Sequence, residues 1–218
     1  NGFGEIIPCT ASENLFFFDP VLRAAMRERL GYSAETKVLV YSGSLAPYQC
    51  FPETVELFRR LHDRDPSVAL LVLTPQLEIA HRLLVERLAT GSWKVLSVPV
   101  EEVNGYLNAA DFAAMLRQDH PVNRAATPTK FAEYCLTGLP VILNPGVSEM
   151  YEVARALGLA IDYDFATLPG PFESTDETRR SGVARRAQDR VSRASVLPRF
   201  RRIYGGASQP ICPAVASP

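Results

Sequence analysis

The chain has few of the residue patterns that mark a metal, disulfide or membrane protein. Its four cysteines lie far apart without a Cys-x-x-Cys pair, at Cys9, Cys50, Cys135 and Cys212, which disfavours a zinc site and a disulfide framework. Its three histidines show no ligand spacing. No apolar run approaches the roughly 18–20 residues that a membrane-spanning helix needs, and the N-terminal residues do not form a signal peptide. We therefore predict a cytoplasmic protein without a metal ion.

Several catalytic signatures are missing as well. The chain contains no G-x-S-x-G motif and no phosphate loop of the Walker type. The G-x-G-x-x-G motif of NAD-binding folds is replaced, after the first predicted strand, by Ser42-Gly43-Ser44-Leu45 with a single glycine. The formal net charge of −1 gives no electrostatic reason to expect nucleic acid as a partner. These absences disfavour serine hydrolases, P-loop enzymes and NAD-dependent enzymes.

Apolar runs and helical spacings alternate along the middle of the chain. Strands are predicted at 37–42, 68–74, 93–98, 112–116, 140–143 and 158–162, and helices at 51–64, 76–90, 102–109, 128–137 and 148–157. This alternation predicts a doubly wound, Rossmann-like α/β fold, in which helices cover both faces of a parallel sheet. Ligands of such sheets bind at the carboxyl ends of the strands. The residues that gather there are Ser42, Gly43, Thr74, Val98 and Asn144.

The chain divides into four predicted parts. These are a linker and entry segment (1–36), the Rossmann-like domain (37–165), C-terminal helices that pack on it (166–204) and a flexible tail (205–218). The chain opens at Asn1 without an initiator methionine, so we expect a fragment of a longer polypeptide. Nine arginines between 179 and 202 make the C-terminal helices basic. They fit either a solvated helix face or a contact with anionic lipid or a lipid-linked acceptor.

Residues 127–143 carry the most information about function. Thr127 is suited to cap a helix that begins at Pro128, and Gly138 is suited to end it before the apolar strand 140–143. Lys130 lies in the first helical turn, where the macrodipole favours an acidic residue, unless an anion binds at the helix end. Glu133 follows on the same face and can accept hydrogen bonds from sugar hydroxyls. The alternative is a solvated Lys–Glu pair on an exposed helix.

Several groups around this strand end could bind an anion. The backbone N–H groups of Gly43 and Ser44 follow the first strand, with Gln49 in the same loop. The cationic members are Arg117, Arg124 and Lys130. Convergence of several cations suits a diphosphate better than a carboxylate. We also assign Thr74, Asn123 and Thr129 to this ligand site.

Three segments of the chain resemble one known family. Residues 108–112 (NAADF), 128–134 (PTKFAEY) and 138–142 (GLPVI) are similar to the nucleotide-sugar-binding half of GT-B glycosyltransferases, in particular the retaining family 4, or group 1, enzymes. The resemblance runs from about residue 5 to residue 204. Residues 6–16 resemble the interdomain linker of the family. Residues 192–204 resemble its final helix, which reaches back to the other domain.

The resemblance implies roles for individual residues. Lys130 would hold the donor diphosphate, Glu133 would bind the ribose, and Arg124 would share in the catalytic set. The Gly43-Ser44 loop would approach the phosphates, and residues 98–100, with Val98 and Val100, would pack against the base. Many relatives have a second glutamate eight positions before Glu133, where this chain has Ala125. The role of this absent glutamate would fall to Asn123, Arg124 or the turn at 144–146.

The resemblance also implies partners and a reaction. The chain would be the donor-binding domain of a retaining glycosyltransferase for polysaccharide biosynthesis, with a nucleotide sugar as substrate and no cofactor. An N-terminal acceptor-binding domain would complete it, so the chain alone would be inactive, and it would sit in the cytoplasm or peripherally on the membrane. Two alternatives stay open: a non-catalytic nucleotide- or partner-binding module, favoured by Ala125, and a GT-B-like sugar-nucleotide epimerase.

Overall fold

The computed structural model describes residues 9–118, 123, 128–144, 148–170 and 176–204. The strands are β1 (Lys37–Ser42), β2 (Val68–Leu73), β3 (Trp93–Leu96), β4 (Phe112–Met115), β5 (Val141–Leu143) and β6 (Ala160–Asp162). The helices are α1 (Pro20–Leu30), α2 (Phe51–Arg64), α3 (Leu77–Arg87), α4 (Val100–Ala109), α5 (Thr129–Leu136), α6 (Ser148–Leu157), α7 (Glu177–Val191) and α8 (Arg193–Tyr204), with a short 3-10 helix at Pro47–Gln49.

The six strands form one parallel sheet in the order β3-β2-β1-β4-β5-β6. β1 lies between β2 and β4, with Leu39 opposite Leu70 on one side and Phe112 on the other. The chain therefore reverses its direction of winding between β1 and β4, which leaves a crevice at their carboxyl ends. This arrangement confirms the predicted doubly wound, Rossmann-like fold.

Helices cover both faces of the sheet, and each face has its own apolar core. Successive strand residues point to opposite faces, so Val38 and Val40 pack into the core that contains Phe131, whereas Leu39 packs into the core that contains Phe58. Because both faces are covered, the central strands are continuous apolar runs rather than alternating ones. These continuous apolar runs are the reason why the central strands could be predicted from the sequence.

Helix α1 was not predicted from the sequence. Its residues fall in the segment 1–36, which was interpreted as a linker and entry segment. The boundaries of α1 carry clear capping signals: the Asp19 carboxylate accepts from the Val21 N–H at 2.8 Å, and Gly31 ends the helix in the left-handed conformation with φ of 70°. Pro20 occupies the first turn. The buried residues of α1 include Arg23 and Arg27.

Several observed boundaries differ from the predicted ones by one to three residues, and the start of α5 is the one next to the predicted site. α5 begins at Thr129 rather than Pro128, which is the N-cap residue and supplies no side-chain cap, and Thr127 lies outside the described residues. The basic C-terminal segment, in which the sequence predicted helices over 166–204, contains α7 and α8. Within the described part of the chain, no helix is both long and apolar enough to cross a bilayer.

Candidate functional site

A cavity of 290 Å³ lies at the carboxyl ends of β1, β2 and β3. Five residues that the sequence analysis assigned to the site line it: Gly43, Ser44, Thr74, Val98 and Lys130. The remaining lining residues are Ser42, Leu73, Pro75, Ser97 and Val103. The wall thus combines hydroxyl groups, apolar side chains and one ammonium group, a composition that suits a ligand with a planar part and an anionic end.

The Gly43 N–H is engaged within the protein. It donates to the Leu73 carbonyl at 3.0 Å and so extends the β1–β2 pairing by one residue. The expectation that this group faces an anion is therefore wrong. Among the described residues, no group accepts from the Ser44 N–H, so Ser44 is the member of the pair that can donate a backbone hydrogen bond to a ligand.

Three side chains hold the loop at residues 42–44. The Tyr134 hydroxyl accepts a hydrogen bond from the Ser42 N–H at 3.0 Å, and the Tyr41 hydroxyl donates to the Ser44 carbonyl at 2.6 Å. The Gln49 amide nitrogen lies 2.7 Å from Ser44 Oγ. A Cβ atom on Gly43 would come within 2.7 Å of Gln49 Oε1. Gln49 therefore supports the loop through its hydrogen bond to Ser44 and does not line the cavity.

Lys130 and Glu133 form an ion pair with each other. Lys130 Nζ lies 3.0 Å from Glu133 Oε2 and 3.3 Å from Oε1. The Glu133 side chain is only 4% exposed, whereas that of Lys130 is 31% exposed. The alternative of a solvated pair on an exposed face is wrong for Glu133. Burial raises the pKa of Glu133 above its usual value, and the Lys130 charge and hydrogen bond oppose that rise.

Arg117 is not among the residues that line the cavity. It is 6% exposed, and its guanidinium makes one hydrogen bond to a described residue, the Leu116 carbonyl at 3.3 Å. Burial lowers the pKa of Arg117, and the nearby Tyr41 and Tyr134 hydroxyls oppose that change. Its backbone is fixed by Asn144, whose amide bonds both the N–H and the carbonyl of Arg117 at 2.8 and 2.7 Å. Direct contact between Arg117 and a ligand stays a prediction.

The other predicted site residues have varied positions. The Asn123 amide donates to the Gln118 carbonyl at 2.9 Å and so holds the chain after β4. Val100 is 49% exposed at the start of α4, outside the cavity wall, and Thr129 is exposed at the start of α5. Arg124, Ala125 and residues 145–147 lie outside the described residues. Among the residues that the structure describes, no group of His, Cys, Asp and Glu side chains is placed to hold a metal ion.

Sequence reasoning missed two features of this region. Tyr134 follows Glu133 directly and contacts the 42–44 loop, but a tyrosine inside a helix reads as ordinary core. Asp111 was not singled out as a site residue in the sequence, yet it is buried and pairs with Arg23 at 2.5 Å and Arg27 at 3.0 Å. The arginines that pair with this carboxylate are more than 80 residues away along the chain, so the spacing of residues around Asp111 could not predict its burial.

Two larger grooves lie away from the strand ends. One, of 700 Å³, runs between α3 and β3, and the other, of 440 Å³, lies between α1 and α4. We place the candidate site at the smaller cavity, because it alone among these three lies at the carboxyl ends of the central strands, where parallel sheets bind ligands.

Comparison with known proteins gives a likeness in fold at low sequence identity. No protein-family model and no curated protein matches the chain. WaaG, a glycosyltransferase involved in lipopolysaccharide biosynthesis, is 17% identical, with a TM-score of 0.55 over 94% of this chain and 52% of its own. HepE from Anabaena, solved in complex with UDP-glucose, is 16% identical, with a TM-score of 0.65 over 90% and 56% of the two chains.

One similar structure is itself a single domain. The C-terminal domain of a group 1 glycosyl transferase (LpcC) from Francisella tularensis is 11% identical, with a TM-score of 0.56 over 87% of this chain and 98% of its own. The chain thus spans about half the length of WaaG and HepE but nearly the whole of this isolated domain. The chain therefore has the Rossmann-like fold of one half of a GT-B glycosyltransferase, as the resemblance of its sequence predicted.

Proposed function

We propose that the chain binds the nucleotide diphosphate sugar donor of a retaining glycosyltransferase. The observation that carries the proposal is the cavity at the ends of β1–β3, in which the 42–44 loop and Lys130 face each other, with Glu133 one turn along α5. Support from outside the chain comes from HepE, a structure of similar fold that was solved with UDP-glucose and with UDP.

Each wall of the cavity has a part in this proposal. Val98 and Val103 supply apolar surface for the base, and Ser44 supplies a hydroxyl and a backbone N–H for the phosphates. Glu133 takes the ribose hydroxyls, since an ionised carboxylate is an acceptor with no proton to donate. Lys130 must then turn from Glu133 towards the diphosphate, and its partly exposed side chain has room to do so.

The chemistry asked of these groups is stabilisation of the leaving nucleotide diphosphate. Negative charge grows on the diphosphate as the sugar departs, and preorganised donors and cations lower the free energy of that state. The Lys130 ammonium group is the cation in the described part of the cavity wall, and Arg124, outside the described residues, is proposed to assist it. Transfer itself is proposed to need an acceptor-binding domain, so we expect binding without turnover from the chain alone.

Calorimetric titration tests the proposal. UDP, GDP and ADP are titrated separately into the chain and into its Lys130→Ala variant. We expect one nucleotide to bind, and we expect the variant to bind it about 10- to 150-fold more weakly, because one charged hydrogen bond is lost.

Arg82→Ala is the matched control, since Arg82 lies in the separate α3–β3 groove. Its affinity should equal that of the unmodified chain. Absence of binding by all three nucleotides, or equal affinity of the chain and Lys130→Ala, would contradict the proposal.

A further inference from the structure

The Tyr134 hydroxyl occupies a gap in the sheet where β1 and β4 separate. β1 pairs with β2 along its whole length, from Lys37 to Ser42. Its pairing with β4 is limited to Leu39 and Val40. The last residue of β1, Ser42, therefore has a strand neighbour on one side only.

The open side of Ser42 is the side that faces β4. Backbone groups of successive strand residues point alternately to the two neighbouring strands. The Val38 carbonyl accepts from the Asp111 N–H next to β4, whereas the Gly43 N–H donates to Leu73 of β2. Ser42 shares the direction of Val38, so its N–H points into the crevice, where Tyr134 accepts it at 3.0 Å.

Tyr134 is buried and well supported there. Its side chain is almost completely enclosed, and its hydroxyl also lies 3.5 Å from the Ser42 carbonyl. A buried N–H without an acceptor is strongly unfavourable. Tyr134 thus takes the place that a strand carbonyl would have at this position.

The same helix carries the two charged residues of the proposed site. Tyr134 follows Glu133 directly in α5, and Lys130 lies one turn earlier. The bonds from Tyr41 and Gln49 tie the 42–44 loop to its own segment of the chain. Among the described residues, Tyr134 makes the only hydrogen bonds between that loop and α5.

We infer that Tyr134 is a positioning residue: by holding Ser42, it fixes the spacing between the 42–44 loop and Lys130 so that both reach the diphosphate of one ligand. This inference rests on the proposed function. Binding groups must be held within about 0.5 Å of their productive positions, and a loop and a helix that move independently would not meet that condition. The base and ribose contacts, at Val98 and Glu133, do not depend on this bond.

The test uses Tyr134→Phe, which keeps the buried ring and removes only the hydroxyl. Affinity is measured by NMR titration for the nucleoside diphosphate that binds the unmodified chain and for the matching nucleoside without phosphates. We expect the diphosphate to bind about tenfold more weakly and the nucleoside to change by less than about twofold. A merely structural role for Tyr134 would weaken both ligands by the same factor.

Tyr163→Phe is the matched control. Tyr163 is another buried tyrosine at the end of a strand, but its hydroxyl lies 3.4 Å from an Arg60 nitrogen, far from the cavity wall. It should leave the ratio of the two affinities unchanged. Amide hydrogen exchange gives a readout without ligand: exchange at Ser42 should accelerate in Tyr134→Phe and not in Tyr163→Phe.

The outcomes separate this inference from the proposed function. If the unmodified chain binds none of UDP, GDP and ADP, the proposed function fails and this inference fails with it. If one binds but Tyr134→Phe leaves the diphosphate-to-nucleoside ratio unchanged, or leaves Ser42 exchange unchanged, the inference alone is overturned.

Discussion

At the scale of single residues, the Lys130–Glu133 pair dominates the electrostatics of the site. Glu133 is buried and loses hydration, which disfavours its ionised form, and Lys130 compensates from the edge of the cavity. The pair therefore stabilises the folded chain before any ligand arrives. A diphosphate has to compete with a carboxylate for the same ammonium group.

The first prediction concerns the pH dependence of this compensation. Lys130→Ala should lower the free energy of unfolding at pH 7 by about 1–2 kcal/mol and by much less near pH ~4. Because the folded-state pKa of Glu133 is raised, its favourable contribution is present below the unfolded pKa and lost as pH rises through the folded pKa. Removing Lys130 raises the folded pKa further, so the loss at neutral pH grows. Urea denaturation at both pH values measures it.

Glu133→Gln provides the control for that prediction. In a Lys130→Ala, Glu133→Gln double variant no carboxylate is left to titrate, and the difference between the two pH values should vanish. Equal destabilisation by Lys130→Ala at both pH values would show that the ion pair does not have the role described.

The second prediction concerns the glycine that follows α5. Gly138 has φ of 63°, and a Cβ atom there would lie 2.5 Å from the Arg180 carbonyl oxygen. Gly138→Ala should therefore lower the free energy of unfolding by about 2–4 kcal/mol, from backbone strain and from the clash. Gly158 has a similar φ of 72° but no atom within 4 Å of the added Cβ. Gly158→Ala should cost only about 1 kcal/mol, and equal losses in thermal or urea unfolding would contradict the steric argument.

At the scale of elements, the C-terminal end of α4 organises the packing of α1 and α7. Arg180 of α7 donates to the carbonyls of Leu107 and Ala110 at 2.8 and 2.7 Å. Arg23 of α1 donates to the carbonyls of Asn108 and Ala110 at 2.9 and 2.8 Å. These guanidinium groups satisfy carbonyls that a helix end leaves without partners, and they face the negative end of its dipole.

The third prediction tests this capping by α7. Burial and the nearby Arg23 lower the pKa of Arg180, whereas the Asp111 and Glu177 carboxylates oppose that change. The guanidinium also lies 4.4 Å from the centre of the Phe18 ring. Arg180→Met should destabilise the fold by about 3–5 kcal/mol, since it leaves several buried carbonyls without donors. The neighbouring Arg179 is exposed, and Arg179→Ala should change stability by less than about 0.5 kcal/mol. Similar losses in the two variants would contradict the account.

The same region shows what the sequence could and could not predict. The strands were predictable because they are apolar runs, and α2 was predictable because its apolar residues recur at helical spacing. α1 escaped because part of its buried face is made of arginines, which a search for apolar periodicity ignores. Its capping residues, Asp19 and Gly31, were the signals that could have revealed it.

Prediction of the site had a similar limit. Gly43, Thr74, Val98 and Lys130 could be brought together from the sequence, because parallel strands end at the same edge of the sheet. The hydrogen-bond partners of the residues in this region could not be predicted from the sequence. That the Gly43 N–H belongs to the β1–β2 pairing, and that Tyr134 reaches Ser42, depends on register and side-chain direction that spacing along the chain does not encode.

At the scale of the whole molecule, helix α8 presents a basic, partly apolar surface. Leu197, Phe200 and Tyr204 are exposed on α8, and Phe200 stacks on Tyr204 with ring centroids 6.0 Å apart. Arg201 and Arg202 are exposed on the same helix. This combination fits the predicted contact with an anionic lipid surface, and a solvated helix face is the alternative.

The fourth prediction follows from that surface. The chain should co-sediment with vesicles that contain phosphatidylserine and not with vesicles of phosphatidylcholine alone. About 1 M salt should release it, because the Debye length then falls to about 3 Å. Arg201→Glu/Arg202→Glu should weaken sedimentation, whereas Arg59→Glu, on the exposed face of α2, should not. Salt-independent sedimentation, or none, would remove lipid as the partner of α8.

The central claim is that the molecule binds a nucleotide at the ends of β1–β3, and NMR titration of the isotope-labelled chain tests it most directly. On addition of UDP, GDP or ADP, we predict that backbone signals shift at Ser44, Thr74, Val98 and Lys130, and that Lys130→Ala removes these shifts. Shifts confined to the α3–β3 or α1–α4 groove, or no shift with any of the three nucleotides, would contradict the account.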